Sequence, residues 1–271
     1  MIMHPHIKII IGVAVLIELA GWAPSQVAMA EPGPGSETTA PVQTPTGAGL
    51  PLEFKFIATG GYRVDDLDWN IAGDTSGNNP NILSELTWDD IESYQVKLEG
   101  RMVWPHRIAL RGSLAYGWIF DGDNQDSDYL GNHRSFEFSR SNNSTDDDDV
   151  WDASVAVGYP LRFGKTVIGT VTPLVGYSHH EQELNITDGR QTIPNLGPFP
   201  GLDSTYDIEW EGPWIGIDLH FQAAELKSFA HRFETYVTYE YHWTDYDAEG
   251  NWNLRGDLDH PKSFNHDTDC E

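Results

Sequence analysis

Cysteine and basic residues are scarce in this chain. Cys270 is the single cysteine among 271 residues, so no intramolecular disulfide framework can form. Lys and Arg number 16 against 42 Asp and Glu, and the resulting net charge of −26 argues against nucleic acid as a partner because phosphates would be repelled. A mean hydropathy of −0.44 argues against a bundle of membrane-spanning helices.

Aromatic residues and glycine are plentiful by contrast. Phe, Trp and Tyr make up 12% of the chain and hydrophobic residues 39%, which is more than disordered acidic chains carry. The 26 glycines and 16 prolines favour a fold of turns and strands. A polar average also suits a membrane β-barrel, whose inner face and loops are polar.

The first 30 residues have the layout of a secretory signal peptide. A polar start precedes an apolar stretch over Ile9–Ala23, and the small residues of Ala28–Ala30 form a cleavage site near Ala30/Glu31. An apolar stretch that is short and carries Glu18 is less suited to a membrane anchor. Residues 31–50, rich in Pro, Gly, Thr and Ala, predict a flexible linker.

Apolar residues alternate with polar ones along the rest of the chain. In Tyr94–Trp104 the even positions are mostly apolar or aromatic and the odd positions mostly polar, which is the period of a strand. Similar patterns predict seven strands, at 52–63, 83–104, 107–120, 150–160, 166–184, 206–221 and 232–245.

The connections between these strands are unequal in length. Long acidic stretches follow Ala72, Phe120, Glu183 and Trp243, whereas the other links are short. Long outer loops alternating with short periplasmic turns are typical of an outer-membrane barrel, predicted here for residues 51–252 of a Gram-negative bacterial protein that contacts outer-membrane lipid. A secreted soluble β-sandwich or lipocalin-like barrel is the alternative.

Several short motifs occur in the order in which omptins, a family of outer-membrane proteases, carry them. They are Gly61–Asn70, Pro80–Asp89, Gly117-Trp118, Asp126–Tyr129, Gly176-Tyr177 and Gly212–Gly216. Between Leu52 and Trp252 the chain therefore resembles an omptin. The resemblance implies an all-β, antiparallel transmembrane β-barrel of ten strands with a cleft at its outer rim.

The resemblance also implies a site, but only in part. Asp126 and Asp128 match the Asp pair of the omptin cleft, while the facing Asp-x-His is missing from the stretch after Trp243. His260 is a candidate to replace the absent base. A solvated acidic loop over residues 121–149 is the simpler explanation of the pair.

Two ligand classes follow from the acids. Asp121, Asp123, Asp126 and Asp128 are candidates for loose binding of Ca²⁺ or Mg²⁺, and no other cofactor is expected. Where omptins grip lipopolysaccharide phosphate this chain has Ser178–Glu181 and Glu209–Glu211, so such binding requires bridging cations.

Polar residues on one face of the last strands predict a network inside the barrel. Asp218, His220, Glu240 and His242 alternate toward that face, and a hydrogen-bonded network is favoured over a metal site at His220 and His242. His179-His180 is a weaker metal candidate.

The segment 253–271 shows no alternation and predicts an external loop or a truncated or frameshifted tail. Seven strands are an odd number, so we expect about three strands of a ten-stranded barrel to be missing. Two functions stay open. The missing base favours a non-enzymatic structural or surface-interaction barrel over an omptin-type aspartyl endopeptidase that cleaves basic peptides.

Overall fold

The computed structural model describes residues 52–104, 108–164, 167–226 and 230–270, together with two short N-terminal strands. The predicted cleavage site, the linker at 31–50 and the turn at Pro105-His106 lie outside the described residues. All regular structure described is β-strand. Within these residues there is no helix long and apolar enough to cross a bilayer.

Fourteen strands form one antiparallel sheet. They are β1 (Ile2–Met3), β2 (Ile17–Trp22), β3 (Glu53–Ile71), β4 (Ser84–Val103), β5 (Ala109–Gly131), β6 (Ser135–Ser144), β7 (Asp148–Gly158), β8 (Leu161–Phe163), β9 (Val167–Ile193), β10 (Gly197–Pro198), β11 (Ser204–Leu226), β12 (Ala230–His242), β13 (Thr244–Asn251) and β14 (Phe264–Cys270). The all-β antiparallel prediction is confirmed.

The long strands pass through two levels of the sheet. At the lower level the order is β3-β4-β5-β7-β9-β11-β12, and at the upper level it is β3-β4-β5-β6-β9-β11-β13-β14. The short strands β6 and β7 therefore occupy the same place between β5 and β9, one above the other. The same holds for β12 and β13 beside β11.

A band of exposed apolar side chains surrounds the lower level. Leu110, Leu114 and Trp118 on β5 point outward, as do residues on β4, β7, β9, β11 and β12. From Leu110 to Phe120 the band measures about 34 Å along the strand, or about 25 Å at the tilt usual in barrels. Aromatic residues gather at its upper edge, where Tyr94 stacks on Phe120 at 4.7 Å. This surface suits hydrocarbon.

The polarity of both faces reverses above this band. On β11 the outward residue is apolar at Ile215 and acidic at Glu211, while the inward residue changes from Asp218 to Ile208. On β4 the reversal uses a bulge, because Asp89 and Asp90 both stand opposite Asp66. Asp90 has φ 53° and its N–H donates to Asp66 at 3.1 Å.

The reversal places a hydrophobic core inside the upper level. Its members are Leu67, Trp69, Leu86, Trp88, Ile91, Ile119, Val150, Leu184, Ile186, Tyr206, Ile208, Tyr246 and Ala248. The Tyr206 ring stacks on the Trp88 ring at 5.1 Å, and the hydroxyls of Tyr206 and Tyr246 are hydrogen-bonded at 2.8 Å. Trp69 contacts His266 at 4.6 Å, which brings β3 and β14 together from opposite ends of the upper level.

Two sequence-based expectations are wrong. The acidic stretches after Phe120, Glu183 and Trp243 are not loops for most of their length, since β5, β9 and β13 continue through them. Residues 264–270, expected in a loop or tail, form β14 against β13. In both cases the alternation persists, but acids occupy the outward positions that apolar residues fill lower down.

The core of the upper level gives the first prediction. Trp88→Ala should lower the free energy of unfolding by about 3–5 kcal/mol, because the fully buried indole leaves a cavity. Trp118→Ala is the matched control, since its side chain is 52% exposed in the apolar band. Urea unfolding in detergent measures both. Equal losses in the two variants contradict this assignment of the core.

Candidate functional site

The inner face of the lower level carries a set of ion pairs. Arg111 on β5 donates to Asp218 on β11 at 2.8 Å and also pairs with Glu240 on β12. Two strands separate β5 from β11, so this contact spans the inner side of the sheet. The Arg111 guanidinium also lies 4.9 Å from the Trp214 ring.

The predicted inner network is thus distributed over several strands. His242 Nε2 lies 3.1 Å from Glu240 Oε2, and His242 Nδ1 lies 3.0 Å from the Ser178 hydroxyl. His220 stacks on Tyr236 at 4.0 Å. The structure therefore brings Asp218, Glu240 and His242 together around Arg111, which sequence reasoning did not name.

A second set of polar contacts lies nearer the upper level. Asp152 on β7 accepts from Arg63 on β3 at 3.1 Å and from Gln95 on β4 at 3.4 Å, and it pairs with His180 on β9. His180 is the register partner of Asp152 on the neighbouring strand, whereas two strands separate β7 from β3, so the contact with Arg63 spans the inner side of the sheet. Buried charges need such partners, because an unpaired one would be costly.

Asp126 and Asp128 occupy the inner face of β5 in the upper level. Asp126 stands opposite Leu86 of the core, and Asp128 stands opposite Ser84. Burial and, to a smaller extent, the charge of Asp128 raise the pKa of Asp126 to about 7, while the charge of Arg255 acts in the opposite direction. A carboxyl with such a pKa can exchange a proton near neutral pH.

His260, the predicted replacement for the base, has both ring nitrogens in contact with groups other than the Asp pair. Its Nδ1 lies 2.9 Å from the side-chain oxygen of Asn251, and its Nε2 lies 3.2 Å from the carbonyl of Arg255. Both ring nitrogens are thus engaged within the loop between β13 and β14. Arg255 is the loop residue whose charge acts on the Asp pair, and it also holds Asp257 at 2.7 and 2.8 Å.

The four carboxylates predicted to bind Ca²⁺ or Mg²⁺ do not converge. Asp121 and Asp123 are exposed, whereas Asp126 and Asp128 lie on the inner face of the same strand. A calcium loop needs an irregular backbone that turns its oxygens toward one point. Residues 109–131 instead form one strand, which separates the two pairs.

Acids cover the outward side of the upper level on three neighbouring strands. We call this surface the acidic wall, and it consists of Glu181 and Glu183 on β9, Asp207, Glu209 and Glu211 on β11, and Asp245, Asp247 and Glu249 on β13. In the sheet, Glu209 stands between Glu181 and Asp247, and Asp207 stands between Glu183 and Glu249. The wall begins directly above the apolar band.

Like charges face one another across these strands without enough counter-charge. Among the described residues, the ion pairs of the wall are those of Lys262 with Glu249 and of His179 with its neighbouring glutamates. Burial and neighbouring carboxylates raise the pKa of both Glu183 and Asp207. Opposed like charges in a sheet destabilise it, so the wall favours binding of cations.

Sequence reasoning missed the acidic wall, although its signal was present. In 207–211 and 245–249 every second residue is an acid, which is the strand period. The intervening residues Ile208, Tyr246 and Ala248 are buried. The acids of β9 and β11 were already placed in the predicted strands 166–184 and 206–221, whereas Asp247 and Glu249 were assigned to the loop after Trp243.

The ion pairs of Arg111 should contribute to the stability of the folded protein. Arg111→Met should lower the free energy of unfolding by about 1.5–3 kcal/mol, since Asp218 and Glu240 lose a charged partner. Arg111→Lys should recover part of the loss. Urea unfolding in detergent measures the series, and an unchanged midpoint for Arg111→Met excludes a stabilising role for these pairs.

Asp126 should make stability depend on pH. The folded protein holds this proton up to about pH 7, whereas an unfolded Asp loses it near pH 4, so unfolding free energy should fall as the pH rises between those values. Asp126→Asn should therefore stabilise the protein by about 1–3 kcal/mol at pH 8 and leave it unchanged at pH 4. The exposed Asp123→Asn serves as control, and identical pH profiles for both variants contradict the burial of Asp126.

Comparisons with known proteins give one match. The family model described as Protochlamydia outer membrane protein matches residues 57–270, which is most of the chain. No curated protein and no solved structure matches this chain. The match supports the predicted location in the outer membrane of a bacterium and does not extend to the omptin likeness. The chain belongs to the Protochlamydia outer membrane protein family.

Proposed function

We propose that the protein is a structural and surface-interaction protein of the outer membrane that acts through its acidic wall and not through catalysis. The observation that carries the proposal is the set of opposed carboxylates on β9, β11 and β13. Repulsion between these carboxylates destabilises the folded sheet, and a bound cation would reduce it. We therefore expect cations from the surrounding solution to bind at the acidic wall.

The position of the wall suggests which groups would share these cations with it. The wall lies immediately above the aromatic edge of the apolar band, and above such an edge we expect the phosphates of the outer leaflet. Hard divalent ions such as Mg²⁺ and Ca²⁺ bind carboxylate and phosphate oxygens alike. Ions shared between the wall and lipopolysaccharide phosphates would hold the protein in the outer leaflet.

The inner face supports a non-catalytic role. Below, Arg111 ties β5 to β11 and β12, and above, the aromatic core around Trp88 and Tyr206 fills the upper level. Both are arrangements that stabilise the sheet. The outward surfaces are therefore the ones left for partners.

The omptin-type endopeptidase remains a second candidate because of one observation. Asp126 and Asp128 lie on the same inner face, and the pKa of Asp126 is raised to about 7. Such a carboxyl pair can share a proton and activate water. The acidic surroundings would attract basic peptides.

Divalent ions should stabilise the folded protein through the wall. In EDTA the midpoint of thermal unfolding should be lower than in about 5–10 mM Mg²⁺. The triple variant Glu183→Gln, Asp207→Asn, Asp247→Asn should be more stable in EDTA and respond less to Mg²⁺, because each opposed like-charge pair costs about 0.2–1 kcal/mol. Heat-dependent gel mobility reports the folded fraction.

Asp257→Asn is the control for this series, since Asp257 is exposed and already paired with Arg255. It should keep the full response to Mg²⁺. Labelled lipopolysaccharide should bind the wild type in Mg²⁺ and lose binding in EDTA or after removal of its phosphates. Equal Mg²⁺ responses in the triple variant and the wild type contradict the proposal.

A peptide-cleavage assay on the refolded chain tests the second candidate. We expect no cleavage of basic peptides above the rate of a denatured sample. Cleavage that disappears in both Asp126→Ala and Asp128→Ala, but persists in Asp123→Ala, would instead establish the endopeptidase. Asp123 is the matched control because it lies on the same strand with its side chain exposed.

A further inference from the structure

One imidazole lies within the acidic wall. His179 on β9 stands opposite Glu211 on β11, next to the Glu181–Glu209 pair. Its Nδ1 is 3.3 Å from Glu209 Oε1 and 3.8 Å from Glu211 Oε2. One nitrogen and two carboxylate oxygens, all within 4.8 Å of one another, thus converge from two neighbouring strands.

These separations suit the ligands of a small transition-metal ion. With bonds of about 2.0–2.1 Å and tetrahedral angles, two ligand atoms on Zn²⁺ are about 3.3–3.4 Å apart. The His179–Glu209 distance already has this value. The Glu211 carboxylate is 45% exposed and hydrogen-bonded to Tyr177, and it would have to turn by a few tenths of an ångström to reach the same distance from Nδ1.

The other side of the imidazole is held in the way that metal-binding histidines are held. His179 Nε2 lies 3.5 Å from Glu181 Oε2, and the same oxygen accepts a hydrogen bond from Trp151 Nε1 at 2.7 Å. The Trp151 ring lies 4.4 Å from the His179 ring. With a metal bound at Nδ1, the proton of the neutral ring would lie on Nε2 and face the Glu181 carboxylate, which is the support that metal-binding histidines usually have.

We propose that His179, Glu209 and Glu211 form a binding site for a first-row divalent transition metal, with Zn²⁺ as the best fit. The imidazole ligand selects against Ca²⁺ and Mg²⁺, which prefer oxygen ligands only. Both glutamates are 45% exposed, so the fourth position is open to water. The ion would link β9 to β11 just above the apolar band. Glu181 and Trp151 are positioning residues for His179.

This site goes beyond the proposed function. Lipid attachment through Mg²⁺ or Ca²⁺ uses the whole wall and needs no histidine. The simpler arrangement, in which a protonated His179 only forms ion pairs with the two glutamates, binds no metal. Zinc titration distinguishes these arrangements.

The test uses the full chain without a histidine tag, refolded in detergent, freed of metal with EDTA and then of EDTA. Titration with Zn²⁺ at pH 7.5 should show one tight site, retained in excess Mg²⁺. His179→Gln should weaken binding at least ~100-fold, and Glu209→Gln or Glu211→Gln about 10–100-fold. Co²⁺ in place of Zn²⁺ should give visible bands of a four-coordinate site that disappear in His179→Gln.

Two further variants separate coordination from general effects. Glu181→Gln should weaken Zn²⁺ binding about 10-fold, since it alters only the support of the imidazole. His260→Gln is the matched control, because its ring contacts Asn251 and Arg255 away from the wall. Heat-dependent mobility confirms that each variant is folded, and the two glutamate variants provide the test if His179→Gln does not fold.

Absence of a tight Zn²⁺ site in the wild type overturns the inference. So does a His179→Gln variant that binds like the wild type, or a His260→Gln variant that loses binding equally. A wild type that responds to Mg²⁺ but binds no Zn²⁺ would leave the proposed function intact. A protein that binds Zn²⁺ without a Mg²⁺ response would reject the lipid role alone.

Discussion

The structure depends on a change of surroundings along each long strand, from hydrocarbon at the lower level to water above. A strand has only two faces, so its outward residues must change from apolar to charged at the same height where its inward residues change from polar to apolar. β11 makes this change between Ile215 and Glu211. β4 needs the bulge at Asp89 and Asp90 to make it. The inner ion pairs, the upper core and the acidic wall all follow from this reversal.

Each of these three parts balances a different cost. On the inner face, Arg111 pairs with Asp218 and Arg63 pairs with Asp152, because a partly buried charge is costly without a charged partner. The upper level excludes water with stacked rings around Tyr206, which stabilises strands that extend beyond the membrane. The acidic wall is left with repulsion that the described residues only partly relieve. That imbalance is why cations are central to both proposals.

Much of the fold could be predicted from alternation alone. The outward faces of Tyr94–Trp104 and of the strands like it were recognisable because apolar and polar residues differ strongly in the band. Strand extensions such as 245–249 were missed because acids that alternate with Tyr246 and Ala248 look like a polar loop when apolar residues are expected on the outer face. The strand at 264–270 was missed for the same reason, since its buried contacts come from Trp69 and Tyr206.

The sequence by itself determined the strand period, the acidic balance and which residues of one strand share a face, because these are properties of neighbouring residues. Only the tertiary structure decided which side chains meet. Asp218 finds Arg111 across 107 positions, and His179 finds Glu209 and Glu211 through the register of β9 against β11. Register is a relation between distant segments, and a shift of one residue would send every one of these side chains to the other face.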